Sequence, residues 1–293
     1  MYLAMFDEII ALHYRYRRRI RMDERSRRRL VYGVVFAGTE PPAPMVDPLV
    51  QQEHRPWPLP PGPWMMAQLW HDLLFAHWPI APEVIRSLLP PSLELDTYRG
   101  QAWLGVVPFR MSGVRLRGTV AIPYVSAFPE LNVRTYVTHG HKPGVWFFSL
   151  DAANFAAVIG ARLWFHLPYF HSHMQLVQKE GWICYSSRRI CRGNPQAVFE
   201  ARYRATGKAF EALPGTLDHW LTERYCLYAS FPKGMHRSEI HHRPWQLQNA
   251  ESDIGINSMT APLNLDLPPL LPLLHFARLQ DVRVWAPIRA CDR

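Results

Sequence analysis

Cysteine is scarce in this chain: four residues in 293, Cys184, Cys191, Cys226 and Cys291, with no Cys-x-x-Cys pair and no zinc-ligand spacing. That excludes a disulfide framework and leaves buried, reduced thiols, which implies a cytoplasmic setting. No Gly-rich phosphate loop, no nucleophile elbow and no His-Glu-x-x-His is present, so the sequence gives no support to nucleotide-binding, serine-hydrolase or zinc-protease chemistry. Internal repeats are absent as well. The apolar run over residues 30–38 (LVYGVVFAG) is too short to span a membrane.

What is present is a folded composition. Hydrophobic residues make up 48%, with eleven Trp and twelve Tyr, enough to bury a substantial core. The net charge of +9 is concentrated: residues 15–29 (RYRRRIRMDERSRRR) hold nine Arg against Asp23 and Glu24, which leaves +2 for all the rest. The question of a nucleic-acid partner is therefore confined to this segment. Residues 40–63 are Pro-rich and read as an extended linker. Residues 1–63 are expected to be a disordered extension, and a single domain is expected over 64–293. The extension has three readings: a dispensable segment, a tether to nucleic acid or an anionic surface, or an export or membrane-surface signal.

Along the body, residues 82–89 read as a short helix opened by Pro82 and stopped by Pro90 and Pro91. Strands are expected at 93–98, 102–111, 128–137, 144–150 and 281–286, with a turn at 139–144 and a hairpin of 182–191 with 196–206. In that hairpin Ala197, Phe199, Ala201, Tyr203 and Ala205 are expected to point inward, and Glu200, Arg202 and Arg204 outward. Residues 151–162 read as a helix capped by Asp151, and residues 214–225 as a second helix capped by Thr216. Many strands with a few short helices point to an antiparallel barrel or sandwich.

The strand 128–137 (FPELNVRTYV) is the most informative. Side chains alternate in a strand, so Glu130, Asn132, Arg134 and Tyr136 share one face, opposite Leu131, Val133, Thr135 and Val137. The polar row faces either water or a barrel interior, where a carboxyl and a guanidinium hold a small ligand. Arg134 suits a carboxylate. Glu130 is a general base if burial raises its pKa, or a structural ion-pair partner of Arg134. His166, His171 and His173 cluster without a metal-ligand pattern, and no metal or cofactor is expected. Asp72 and His77 read as buried hydrogen-bonding groups.

Several stretches together carry a family resemblance: residues 71–78 (HDLLFAHW), 88–96 (LLPPSLELD), 107–113 (VPFRMSG), the Glu130 strand and 161–169 (ARLWFHLPY). Over residues 65–290 the chain resembles the uncharacterised YqjF-like family of the acetoacetate decarboxylase-like superfamily. The resemblance implies a mainly β (α+β) fold, a cone-shaped antiparallel β-barrel with a few short helices and an interior pocket. It implies no known reaction. Acetoacetate decarboxylases carry a pattern like Gly-Arg-Glu-x-x-x-x-Pro-Lys-Lys, whose first lysine forms the imine. Here Ala161-Arg162-Leu163 and Pro168-Tyr169-Phe170 stand in register, and both lysines are gone. The chain's four lysines, Lys142, Lys179, Lys208 and Lys233, lie elsewhere. Glu130 and Tyr169 are thus the candidate catalytic groups, with Asn132, Arg134, Arg162 and His166 as candidate ligand contacts. The expected function is a pocket for a small carboxylate or carbonyl ligand. The alternatives are an imine-independent lyase or proton-transfer enzyme on a small oxo-acid, and a non-catalytic structural or ligand-binding module; an oligomer is compatible with either.

Overall fold

The computed structural model describes residues 46–121, 126–190 and 196–290. The Arg-rich segment 15–29, Cys191 and Cys291 therefore lie outside the described residues. Thirteen strands occur among the described residues: β1 Met66–Ile80, β2 Glu94–Leu95, β3 Ala102–Leu116, β4 Phe128–His139, β5 Lys142–Ala152, β6 Tyr169–Lys179, β7 Trp182–Arg189, β8 Val198–Phe210, β9 Cys226–Phe231, β10 Gly234–His241, β11 Leu247–Asn257, β12 Leu273–Val284 and β13 Ile288–Arg289. Three helices accompany them: α1 Pro82–Ser87, α2 Phe155–Phe165 and α3 Leu217–Thr222.

The strands join one sheet whose pairings close twice. One circuit runs β4-β5-β6-β7-β8-β11-β12-β1-β3 and back to β4; the other runs β4-β5-β9-β10-β12-β1-β3 and back to β4. Pairing is antiparallel except for the short parallel contacts of β5 with β6 and with β9. The two rings share β12, β1, β3, β4 and β5, and each side of that wall carries a core. Leu131, Val133 and Val137 of β4 pack with Leu104, Tyr185, Phe199 and Tyr203 in the nine-strand ring. Phe109, Met111 and Leu150 pack with Phe75, Ala229, Ile240 and Trp245 in the seven-strand ring. Eleven of the twelve β4 residues are consequently buried, the polar row included.

Local chemistry explains the elements. At Gly140 and His141, φ is 56° and 63°, and His139 faces Lys142, so the β4–β5 hairpin closes on two left-handed residues. Asp72 has φ 53° and interrupts the alternation of β1. The extra residue lets Trp70 before it and Phe75 after it face the same cavity. Arg110 donates to Asp72 Oδ2 at 2.9 Å and holds the bulge. Thr216 caps α3 through Oγ1, as expected. The β7–β8 hairpin has the expected polarity, Phe199 and Tyr203 buried and Glu200, Arg202 and Arg204 exposed.

Two expectations need correction. Helix α2 begins at Phe155 and is capped by Asn154, whose Oδ1 accepts from Ala157 N at 3.1 Å. Asp151, expected to be the cap, belongs to β5 and is fully buried. There it accepts from Arg189 at 2.8 and 2.7 Å and from Ser172 Oγ at 2.6 Å. The expected boundary near residue 64 also falls inside packed chain. Residues 47–62 form a strap along β10: His241 Nε2 lies 2.8 Å from Pro48 O, Arg55 donates to Ile240 O at 2.6 Å, and Trp57 Nε1 donates to Glu239 Oε2 at 2.7 Å. Pro56 and Pro58 beside Arg55 and Trp57 lend the segment a linker-like texture, while Arg55 is buried and Trp57 half-buried.

Candidate functional site

The polar row of β4 lines a cavity in the seven-strand ring. Glu130, Asn132 and Arg134 contribute from β4, Val107, Phe109 and Met111 from β3, and Phe147 and Leu150 from β5. Trp70 and Phe75 of β1, Leu227 of β9, Tyr169, Arg224 and Trp245 line it as well. The volume open to the centre of a water molecule is ≈ 80 Å³. One water needs about 10–15 Å³ by that measure, so the cavity admits a ligand of several heavy atoms and no large cofactor.

Glu130 is buried, and Tyr169 donates a hydrogen bond to its Oε2 at 2.8 Å. Burial raises the Glu130 pKa to about 8, the Tyr169 hydrogen bond opposes the rise, and the nearby Asp151 charge adds to it. At neutral pH the group is mainly a carboxylic acid, able to donate a proton or a hydrogen bond. Tyr169 is itself pushed well above the usual phenol range by burial and by Glu130. Among the described residues Glu130 makes no ion pair within 4.0 Å, so the structural partnership with Arg134 does not form.

Arg134 is buried as well, and no carboxylate of the described residues lies within 4.0 Å of it. Its guanidinium carbon stands 5.3 Å from the Phe75 ring centre and 5.8 Å from that of Tyr136, with Nη2 3.5 Å from Leu221 O. Its Nε has no partner among the described residues. Arg224, just beyond α3, lies over the same Tyr136 ring at 4.9 Å and is neutralised by Asp96 through a 2.6 Å contact, while its Nη2 is unpartnered. Asn132 Oδ1 and Trp245 Nε1 are likewise buried without partners. Four cavity-lining residues thus carry buried polar atoms that lack a hydrogen bond, each at a cost that a bound polar ligand offsets.

The structure therefore brings together Glu130, Asn132, Arg134 and Tyr169, and it leaves out Arg162 and His166. Arg162 is exposed; its Nε donates to Tyr169 O at 2.6 Å, which fixes the Tyr169 backbone from outside the cavity. His166 is the exposed, left-handed end of α2, φ 50°, with its ring centre 4.0 Å from that of Phe231. Helix α2 turns both away from the interior. His77 is a buried hydrogen-bonding group, paired with the Tyr136 hydroxyl at 2.7 Å, and the half-buried His71 pairs with Ser112 Oγ at 2.7 Å. No group of three or more His, Cys, Asp or Glu among the described residues is placed to hold a metal. None of the four lysines lines the cavity. Reasoning from the sequence missed Arg224, Trp70 and Trp245. Arg224 follows Thr222 and Glu223 in a mixed segment, which gives it no local signal as a site residue.

Comparison with known proteins fits this architecture. Residues 67–281 match the family model DUF2071, described as an uncharacterized conserved protein. The chain is 48% identical over 231 residues to the uncharacterized protein YqjF of Bacillus subtilis (strain 168), spanning 79% of this chain and 94% of that one. An acetoacetate decarboxylase structure from Legionella pneumophila aligns with a TM-score of 0.56 at 13% identity, covering 85% of this chain and 98% of that chain. The enduracididine biosynthesis enzyme MppR complexed with pyruvate aligns with a TM-score of 0.53 at 13% identity, covering 82% and 94%. At that identity the two structures speak for the fold. The mainly β, acetoacetate decarboxylase-like fold is thus shared, and the chain belongs to the DUF2071 family of YqjF-like proteins.

Proposed function

We propose that this protein binds a small carboxylate that also carries a carbonyl, in the cavity of the seven-strand ring. The carrying observation is Arg134, a buried guanidinium with no counter-carboxylate among the described residues and an unpartnered Nε. A buried, unpaired charge is expensive, and an anionic ligand removes that expense. The Glu130–Tyr169 pair supplies the complement: a neutral carboxylic acid that hydrogen-bonds or protonates a carbonyl oxygen, as an enolising or lyase step without an imine requires. That acid supports the second reading, a proton-transfer or lyase enzyme on a small oxo-acid. The pyruvate named for the MppR complex is a ligand of this kind on the same fold. A cytoplasmic protein with reduced Cys184 and Cys226 fits a metabolite ligand.

Titration calorimetry with a panel of small oxo-acids tests the proposal. The parent protein should release heat with at least one of them, and Arg134→Met should abolish it while its melting temperature holds or rises. Equal binding by Arg134→Met and the parent would refute the assignment.

A further inference from the structure

We infer that the ligand holds its carboxylate and its carbonyl at opposite ends of an apolar chain. This rests on the proposed carboxylate site and adds the shape of what occupies it. Arg134 and Glu130 stand four residues apart on β4, roughly 13 Å between Cα atoms at the rise of a strand. The Arg134 guanidinium lies between the Phe75 ring, 5.3 Å away, and the Tyr136 ring, with Nη2 near Leu221 O and with no ion pair to Glu130; Arg224 lies over the same Tyr136 ring.

One end of the cavity is therefore cationic and the other, with Glu130 neutral and bonded to Tyr169, is a hydrogen-bond donor without a cation. Between them the wall is Val107 and Leu150, which flank Asn132, the polar interruption on β4, while Phe147 stands opposite Arg134. Pyruvate carries its two functional groups on adjacent carbons and reaches one end at a time. A straight-chain acid with a remote ketone reaches both, and its methylenes meet the apolar wall. A second carboxylate has no partner at the Glu130 end, where Asp151 already contributes negative charge.

Calorimetric titration of the full chain with pyruvate, levulinate, 5-oxohexanoate and 7-oxooctanoate, with octanoate and 2-oxoglutarate alongside, decides the matter. Affinity should rise about fourfold per added methylene until the chain spans the cavity. The oxo-acid of optimal length should bind roughly two- to tenfold tighter than the acid lacking the ketone. Val107→Phe, checked for an unchanged melt, should erase the gain from length. Pyruvate binding with a flat length dependence would overturn this inference and leave the carboxylate site standing. Tightest binding by 2-oxoglutarate would overturn the apolar body, and no binding by any acid would overturn both the inference and the site.

Discussion

Replacing Glu130 by Gln should make the protein more stable in alkaline solution. The folded chain holds the Glu130 proton up to about pH 8, whereas the unfolded chain releases it near the ordinary value of 4.5. Between those limits the native state binds more protons, so stability falls as pH rises, by about 1.4 kcal/mol per pH unit. Below pH 4.5 the contribution is fully favourable; by pH 8 about 5 kcal/mol has been lost. Gln keeps the shape, retains an oxygen for the Tyr169 hydroxyl and does not titrate. Urea unfolding of both proteins from pH 4 to 9 measures the effect. The difference between them isolates Glu130, because the neutral His71, His241 and His242, with values lowered to about 4, titrate alike in both. The curves should nearly coincide at pH 4 and diverge to about 5 kcal/mol in favour of Glu130→Gln at pH 8. Parallel curves, or a less stable variant at pH 8, would show that Glu130 is ionised and paired in the native state.

Four other outcomes follow from the same geometry. Because no lysine lines the cavity, borohydride treatment with acetoacetate or pyruvate should leave the mass of the protein unchanged, and a stable lysine adduct would contradict the loss of imine chemistry. Asp151→Asn strands the buried Arg189 and should cost about 3–5 kcal/mol in urea unfolding. Arg202→Ala, which removes an exposed pair with Asp253, should cost less than about 1 kcal/mol. A chain starting at Met65 loses the strap contacts of His54, Arg55 and Trp57 with β10 and should be at least about 3 kcal/mol less stable than one starting at Val46. Equal melting temperatures would show that the strap is ornamental.

The polar row on β4 was legible because a strand fixes which side chains share a face. What lay across from that face was not legible, since a solvated row and a cavity-lining row have the same period. Tyr169 came from register with a known family pattern. The same register also nominated Arg162, and sequence proximity nominated His166; the rotation of α2 sends both outward. Arg224 enters the site 90 residues after Arg134, through the closure of β5 on β9, a long-range pairing with no local sequence signature. Asp151 and Asn154 are both good helix caps by type. Only the buried Arg189 opposite decides between them, and it lies 38 residues away.

The wall of β12, β1, β3, β4 and β5 has a thermodynamic consequence. Two cores that were separately enclosed would melt separately, whereas these two lose a boundary together if either opens. The chain then behaves as one cooperative unit despite its twin interiors. Amides of β3 and β4, sealed on both faces, exchange with solvent only through global opening. Were a ligand to bind in the seven-strand ring as proposed, its free energy would be felt as added protection in β7 and β8, which lie outside that ring.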